Sequence, residues 1–521
     1  MAPFEITLKH AGKTYILPDF DPQQSGAWLK DRTYGLTGVP TDKVKVPVKG
    51  GMLKDDADLS KLGFKAGQTV MVIGPAGPIP RAPAKATVFM EDMTDVELAQ
   101  SAKYPVGLTN LGNTCYMNST IQVLRAIPEL QTALNDSQGA AAQPDLHLTH
   151  SLRDLYRNMG RTTDGFPPLA FLGMLRQFAP QFAERSRQSG QYAQQDAQEA
   201  WGAIVQAVKS SALGNGGRFV EQYLMGEFVK TLKSAEAPDE DATISNEPFL
   251  EVKCNISSTT NYMMQGIAES LEQEIEKNSP SLGRQAVYKE TTRISRLPSY
   301  LTVNLVRFYW RREIGKKTKV MRKVKFPFDL DAVELVSDDL KRKILPVNEK
   351  LKDFDKDRRE RAKARRKVKK QVDSANTAPA TAAAADTDDP PDAMLVDQST
   401  AGELPDEEAK RQEELAILAS LVHPDLEADS GANVSGLYEL AGIVSHKGAS
   451  ADGGHYVAWS AAARNKESGE PEWDEDPDKQ EWFKFDDDKV SRVSRDKILG
   501  LEGGGEDHSA YILLYKSKAL A

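Results

Sequence analysis

The stretch that most limits the fold is Gly107–Thr120, GLTNLGNTCYMNST, which holds one of only two cysteines in the 521-residue chain. Within and beyond it, Met117, Ile121 and Leu124 fall at i, i+4 and i+7 and predict one apolar face of a helix. Thr114 takes the position expected of an N-cap, so Cys115 falls in or beside the first turn. Unpaired N–H groups and the positive end of the helix dipole favour the thiolate there, which is the attacking form of cysteine. Five residues upstream, Asn110 offers an amide donor suited to the oxyanion of an acyl-transfer intermediate. Gly107 and Gly112 permit a tight turn and a close approach to a substrate chain. A lone cysteine is by default a small buried hydrophobe, so the rest of the chain must supply partners before Cys115 reads as a nucleophile.

Composition sets the outer limits. A chain of this length is expected to hold two or three domains and to bury a large core. Hydrophobic residues make up 40% and charged residues 27%, the balance of an ordinary globular protein. There is no apolar run of about 18 residues to predict a membrane span, and MAPFEITLKH reads as a strand, not a secretory signal. Two cysteines make neither a disulfide framework nor a four-cysteine zinc ribbon, so a reducing, intracellular setting and no cofactor are expected. A net charge of −9 argues against general nucleic-acid binding while leaving room for a local basic surface.

Residues 4–74 form a first unit. Phe4, Ile6 and Leu8 alternate with Glu5, Thr7 and Lys9 as a half-buried strand, and HAGK turns the chain into a second β-prone run, Thr14–Leu17. A helix-length polar stretch spans about Gln23–Thr33, and Val70–Ile73 is a last apolar strand. This ββαββ order fits a β-grasp. It also resembles a ubiquitin-like domain, with Lys43–Val48 as the third strand and Ala57–Leu62 in place of ubiquitin's short late helix. The unit runs on into more chain, so the expectation is a docking module and not a conjugated modifier. Residues 75–103 open with PAGPIPRAPAK, an extended Pro/Ala linker, and Thr94–Ala102 reads as a short helix.

From residue 104 to about 236 the pattern is mainly helical, and over 219–353 it turns strand-rich. The cysteine string itself resembles the cysteine box of the ubiquitin-specific proteases, GLxNLGNTCYMNS, nearly letter for letter. YAQQDAQEAW at 192–201 resembles that family's QQDAxE segment. On a helix Gln195 and Glu199 would stack at i, i+4, and the resemblance makes Gln195 and Asp196 candidates for binding ubiquitin's C-terminal tail. SRLPSYL at 295–301 and KFPFDL at 325–330 resemble the family's palm and fingers, which hold ubiquitin's globular body. Many members carry two CxxC pairs there for zinc. This chain has only Cys254, so no metal is predicted, and Cys254 reads as a buried, inert thiol.

GGHYVAW at 453–459 resembles the family's histidine box, which implies that His455 takes the Cys115 proton and later protonates the leaving amine. WFKFDDD at 482–488 ends a predicted strand. Alternation puts Lys484 and Asp486 on one face and Asp487 on the other, and spacing alone leaves open which carboxylate meets the histidine. The family's WxKFDD motif selects Asp486 to orient the ring, with Asp487 a neighbour in the polar network toward substrate.

Residues 353–433 look inserted. Lys352–Asp373 is basic, Asp386–Glu414 is acidic, and about 374–404 is read as disordered. The basic run reads as a solvated charged helix. Glu407–His423 predicts an amphipathic helix with Leu415, Leu418 and Val422 on one face.

The implied fold is α+β: an N-terminal β-grasp ubiquitin-like domain (1–74), a flexible linker (75–103), and a papain-like thumb, palm and fingers cysteine protease domain (104–518) without a zinc ribbon. The arrangement resembles the proteasome-associated branch of the ubiquitin-specific proteases. That resemblance implies a thiol-dependent deubiquitinase that hydrolyses isopeptide bonds at ubiquitin's C-terminus through Cys115, His455, Asp486 and Asn110. Its implied partners are ubiquitinated proteins and the 26S proteasome's regulatory particle, in cytoplasm and nucleus, with no nucleic acid or membrane. By the same likeness, Tyr309–Lys319 and Ser445–Gly454 are loops that cover the tail channel until the enzyme docks. A non-catalytic regulator that senses ubiquitin at the proteasome is the competing class.

Overall fold

Alternation in the first strand organises the N-terminal unit. In β1 (Phe4–His10) Ile6, Leu8 and His10 turn inward while Glu5 and Lys9 face solvent. The computed structural model describes residues 3–75, 104–136, 144–186, 190–211, 213, 218–311, 316–376, 407–450, 453–462, 480–505 and 507–520. They fall into two units, Met1–Asp92 and Met93–Ala521. β2 (Lys13–Phe20) returns antiparallel to β1 across Ala11 and Gly12, both at positive φ, the geometry that matches a tight hairpin to strand twist. Ser25 caps α1 (Gly26–Thr37), which ends on Gly38 in the left-handed region. β3 (Pro47–Val48) pairs with β4 (Gly51–Met52), and β5 (Thr69–Met71) runs parallel to β1, giving the order β2-β1-β5. The third strand read over Lys43–Val48 is thus reduced to β3 and a single bridge from Lys45 to Ile73. The late helix is the 3-10 turn Leu59–Lys61. Ile6, Leu8, Leu29 and Val70 lie in one buried cluster that joins α1 to the sheet. The result is a β-grasp.

The second unit opens with helices: α2 (Cys115–Leu124), α3 (Pro128–Asp136), α4 (Pro144–Met159), α5 (Leu169–Phe178), α6 (Ala197–Ser210) and α7 (Phe219–Tyr223). α2 reads as amphipathic, yet all of its residues are buried. Donor groups of its polar side chains find buried acceptors: Gln122 donates to Val106 O at 2.9 Å and Thr120 to Tyr116 O at 2.8 Å.

Next come β6 (Gly226–Ser234), β7 (Thr243–Phe249), β8 (Val252–Asn255), α8 (Met263–Ser270), β9 (Glu272–Asn278) and β10 (Gln285–Arg296). Strands β7-β6-β10-β9 make an antiparallel four-stranded sheet. β11 (Tyr300–Val306), β12 (Phe308–Arg311), β13 (Lys316–Lys319) and β14 (Asp329–Asp331) lead to α9 (Asp338–Asn376), α10 (Glu407–Leu421) and α11 (Pro424–Ala428). β15 (Leu437–Ser450), β16 (Gly453–Ala461), β17 (Trp482–Asp486), β18 (Lys489–Val493), α12 (Arg495–Leu499) and β19 (Ser509–Ser517) complete the chain. The larger sheet runs β18-β17-β16-β15-β19-β11-β8, with β12, β13 and β14 joined beside it. Cys254 lies at 0% exposure on β8, and burial pushes its thiol up to about 12, as expected of an inert cysteine.

Residue 353, where the inserted stretch was expected to begin, lies inside α9, which runs unbroken from Asp338. The basic run is solvated on one side only, at Arg359, Glu360 and Lys363; on the other, Arg358 reaches Glu414 at 2.6 Å, Arg361 and Arg365 reach Glu407 at 2.8 and 2.6 Å, and Arg411 joins Glu407 at 3.0 Å. On α10 the inward positions are Glu407, Glu414 and Leu418. Val422 packs beside Leu418, whereas Leu415 stays 38% exposed. Ion pairs share the face with the apolar contacts of Leu418 and Val422, two of the three residues expected there. Residues 76–103 and 377–406, which hold nearly all of the expected linker, its short helix and the stretch read as disordered, lie outside the described residues. Among the described residues, no helix is long and apolar enough to cross a membrane, and no cluster of His, Cys, Asp or Glu is arranged to hold a metal.

Candidate active site

The loop before α2 folds on the side chain of Asn110. Its Oδ1 accepts from Gly112 N at 2.9 Å and Thr114 N at 3.2 Å, and Gly112 and Asn113 supply the positive φ that the turn requires. Thr114 sits at the N-cap position, but its hydroxyl accepts from Leu111 N, so no side chain caps α2. Cys115 is therefore the first helical residue, at the uncapped positive end of the dipole. Gly107 has a different role from the one read in sequence. A Cβ there would lie 2.5–2.6 Å from the carbonyl oxygens of Asp487 and Asp488, so its close approach is to the β17–β18 turn, not to a substrate chain.

β16 runs beside the start of α2. Tyr456 N donates to Cys115 Sγ at 3.5 Å, which sets the preceding residue, His455, beside the same sulfur. Pairing of β16 with β17, Ala458 opposite Phe485, returns the chain so that His455 Nε2 meets Asp486 Oδ1 at 2.7 Å. Nδ1 is left as the ring nitrogen for the sulfur. Hydrogen bonding to Cys115, against the opposing effect of burial and with help from Asp486, raises the imidazole to about 9. Burial alone would raise the Asp486 carboxyl, but hydrogen bonds from Lys484 at 2.8 Å and from His455 outweigh it and hold it below its ordinary value. The three residues form a chain from sulfur to carboxylate.

Asp487 is the second centre. It sits in the left-handed region with φ 55°, which aspartate tolerates better than most residues. Its Oδ2 accepts from Asn110 Nδ2 at 2.9 Å, its Oδ1 from Asn118 Nδ2 at 2.9 Å, and its carbonyl oxygen from Leu108 N at 2.9 Å. It lies 3.9 Å from His455, farther than Asp486.

The QQDA segment is arranged differently from its sequence reading. α6 begins at Ala197, so Gln195 precedes the helix and does not stack on Glu199. Asp196 is the N-cap, accepting from Gln198 N at 2.8 Å and from the Tyr511 hydroxyl at 2.8 Å. The amide that nears Cys115 is Gln194, its Nε2 4.0 Å from Sγ. Sequence reasoning passed over Gln194, and also Asn118, although the latter's i, i+3 spacing from Cys115 puts it on the same side of α2.

A family model described as ubiquitin carboxyl-terminal hydrolase matches residues 106–515, and one described as ubiquitin family matches 6–75. Ubiquitin carboxyl-terminal hydrolase 6 of Schizosaccharomyces pombe is 42% identical over 523 residues, covering 99% of both chains. Ubiquitin carboxyl-terminal hydrolase 6 of Arabidopsis thaliana is 36% identical, covering 94% of each, and ubiquitin carboxyl-terminal hydrolase 14 of Caenorhabditis elegans is 30% identical, covering 99% of this chain and 94% of its own. With a catalytic-family match across most of its length and such relatives end to end, this chain belongs to the ubiquitin-specific branch of the ubiquitin carboxyl-terminal hydrolases, the cysteine-type deubiquitinases, and carries an N-terminal ubiquitin-like domain.

Proposed function

We propose that the protein hydrolyses the isopeptide bond between ubiquitin's C-terminal carboxyl group and a substrate lysine, on substrates held at the proteasome in cytoplasm and nucleus. The observation that carries the catalytic part is His455, held at 2.7 Å by Asp486 and set beside Cys115 at the α2 N-terminus by the Tyr456 N–Cys115 hydrogen bond. In this reading the Cys115 thiolate attacks the terminal carbonyl carbon, and the oxyanion is met by an N–H of Asn110. As the C–N bond breaks, the His455 imidazolium gives its proton to the leaving lysine amine, leaving ubiquitin as a thioester on Cys115. His455, now neutral, takes a proton from water. The resulting hydroxide equivalent displaces the sulfur and frees the carboxylate. Gln195, Asp196 and Asp487 line the approach of the ubiquitin tail.

Docking is assigned to the ubiquitin-like domain, where Ile16, Met52, Met71 and Ile73 are large apolar side chains left exposed. The segments 309–319 and 445–454, expected from sequence to be loops, have their described residues in β12, β13, β15 and β16, and act as a cover. In support, Lys319 at the end of the first donates to His446 O in the second at 2.6 Å.

The test is release of a fluorescent amide from ubiquitin's C-terminus, with and without purified proteasome, with Cys115→Ala as the blank. Activity that rises on adding proteasome and vanishes in the variant supports both parts. Full activity without proteasome keeps the hydrolase and discards the cover, and no activity in either condition favours the ubiquitin-sensing regulator.

A further inference from the structure

We propose that Asn118 is a positioning residue for the oxyanion donor Asn110, acting through Asp487. The inference rests on the hydrolase reading above. Asn118 is 2% exposed and lies one turn beyond Cys115. Its Nδ2 faces three acceptors: Asp487 Oδ1 at 2.9 Å, Leu108 O at 3.2 Å and Thr109 O at 3.4 Å. Turning the amide over would set its own oxygen against those three, so the orientation is fixed by the surroundings. Its Oδ1 is buried with no hydrogen-bond partner. A side chain kept only for packing would carry no such orphan, because an apolar group of similar size fills the space without leaving a polar atom unpaired. The donor is what this position requires.

The link then continues. With Oδ1 held by Asn118, the Asp487 carboxylate turns Oδ2 to Asn110 Nδ2 at 2.9 Å. Asn110 Oδ1 is itself occupied by Gly112 N and Thr114 N, so the Asn110 amide is locked at both ends and keeps one Nδ2 proton for an oxyanion. The same tether keeps Asp487 3.9 Å from His455 Nε2, while Asp486 lies at 2.7 Å. Two adjacent carboxylates are thereby given separate work, one on the imidazole and one on the oxyanion donor.

The experiment uses the full chain with Asn118→Ala and, as a milder change, Asn118→Ser, under the condition in which the wild type releases the fluorescent amide. Alkylation of Cys115 by iodoacetamide is followed against pH alongside it, because that reaction uses the Cys115–His455 pair and develops no oxyanion. Removing one oxyanion-hole donor costs about 10²–10³ in kcat, so loosening one is expected to cost about tenfold or more, with KM within about twofold. Alkylation rate and pH profile should stay those of the wild type. In an Asp487→Asn background, Asn118→Ala should add less than about twofold, since the link is already broken. Hydrolysis within about twofold of wild type in both Asn118 variants overturns the proposal, as does a parallel fall of hydrolysis and alkylation, which marks general damage to α2. A wild-type chain that releases no amide overturns the hydrolase reading and this inference with it. A working wild type beside unimpaired variants overturns this inference alone.

Discussion

Two polar networks in the catalytic unit, each only partly buried, are built in opposite ways. Around Asp487, one carboxylate is surrounded by the neutral amides of Asn110 and Asn118. Between α9 and α10, Glu407 and Glu414 are surrounded by the guanidinium groups of Arg358, Arg361, Arg365 and Arg411. In the proposed mechanism the amide network lies beside an imidazole whose protonated form must persist. A guanidinium in place of either asparagine would disfavour that charge and draw the His455 pKa down, whereas an amide fixes geometry without adding charge. The ionic network has no such neighbour. There the need is to hold two helices together across a long connection, and bidentate arginine supplies strength with direction.

The largest effect expected of this contrast is at Asp487. Asp487→Asn keeps the shape and tolerates the left-handed backbone, but sets an amine against Asn110 or Asn118. We expect kcat for ubiquitin-amide hydrolysis to fall about a hundredfold or more, while the thermal unfolding midpoint moves little. A variant that unfolds as readily as it loses activity would make the two networks alike, both merely structural.

Glu407→Gln should do the reverse. It leaves Arg361, Arg365 and Arg411 facing a neutral amide, and breaking a buried pair costs about 3–5 kcal/mol. The arginine side chains are 16–22% exposed, so roughly 2–4 kcal/mol is expected, confined to α10. Amide hydrogen exchange over 407–421 should speed up by the corresponding factor while hydrolysis remains within about twofold of wild type. Protection unchanged in that segment would show that Leu418 and its apolar neighbours hold α10 without the ion pairs.

The same contrast explains what could be read from sequence. Cys115 and its helix, the His455 strand and the WFKFDD turn are short contiguous segments with strong local patterns, and each fixes its own element. Gly107 was read as serving substrate because its real partner, the Asp487–Asp488 backbone, is 380 residues away in the chain. α6 begins two residues later than the QQDA spacing suggests because Asp196 prefers to cap it, a competition between cap and helix interior that apolar periodicity does not reveal. The α9–α10 pairing was hidden for a related reason. The basic run reads as solvated when taken alone, and only the three-dimensional return of α10 brings Glu414 to Arg358, 56 residues away. The face buried by α10 includes those charges, so a search for leucines at helical spacing chose Leu415 where the fold chose Glu414.

The smallest effect, and the one that separates the networks without a mutation, is the response to pH. His455 is raised to about 9 from 6.5, chiefly by the Cys115 hydrogen bond. The stabilisation linked to its protonated form is complete below about 6.5 and is lost as pH rises through 9. Burial alone would raise Glu407, yet hydrogen bonds from Arg361, Arg365 and Arg411 bring it to about 2 from 4.5. Its contribution is present above about 4.5 and is lost as the pH falls toward 2. Hydrogen exchange in α10 should therefore stay protected at pH 9 and weaken below 4.5, while hydrolysis should decline on the alkaline side near 9 as His455 loses the proton meant for the leaving amine. In Cys115→Ala the His455 titration, followed by its ring NMR signals, should move below 9, because the sulfur is the first of the influences holding it up. A His455 pKa unmoved by that substitution would place the proton's main support on Asp486, making the carboxylate and not the nucleophile the partner that sets the charge of the pair.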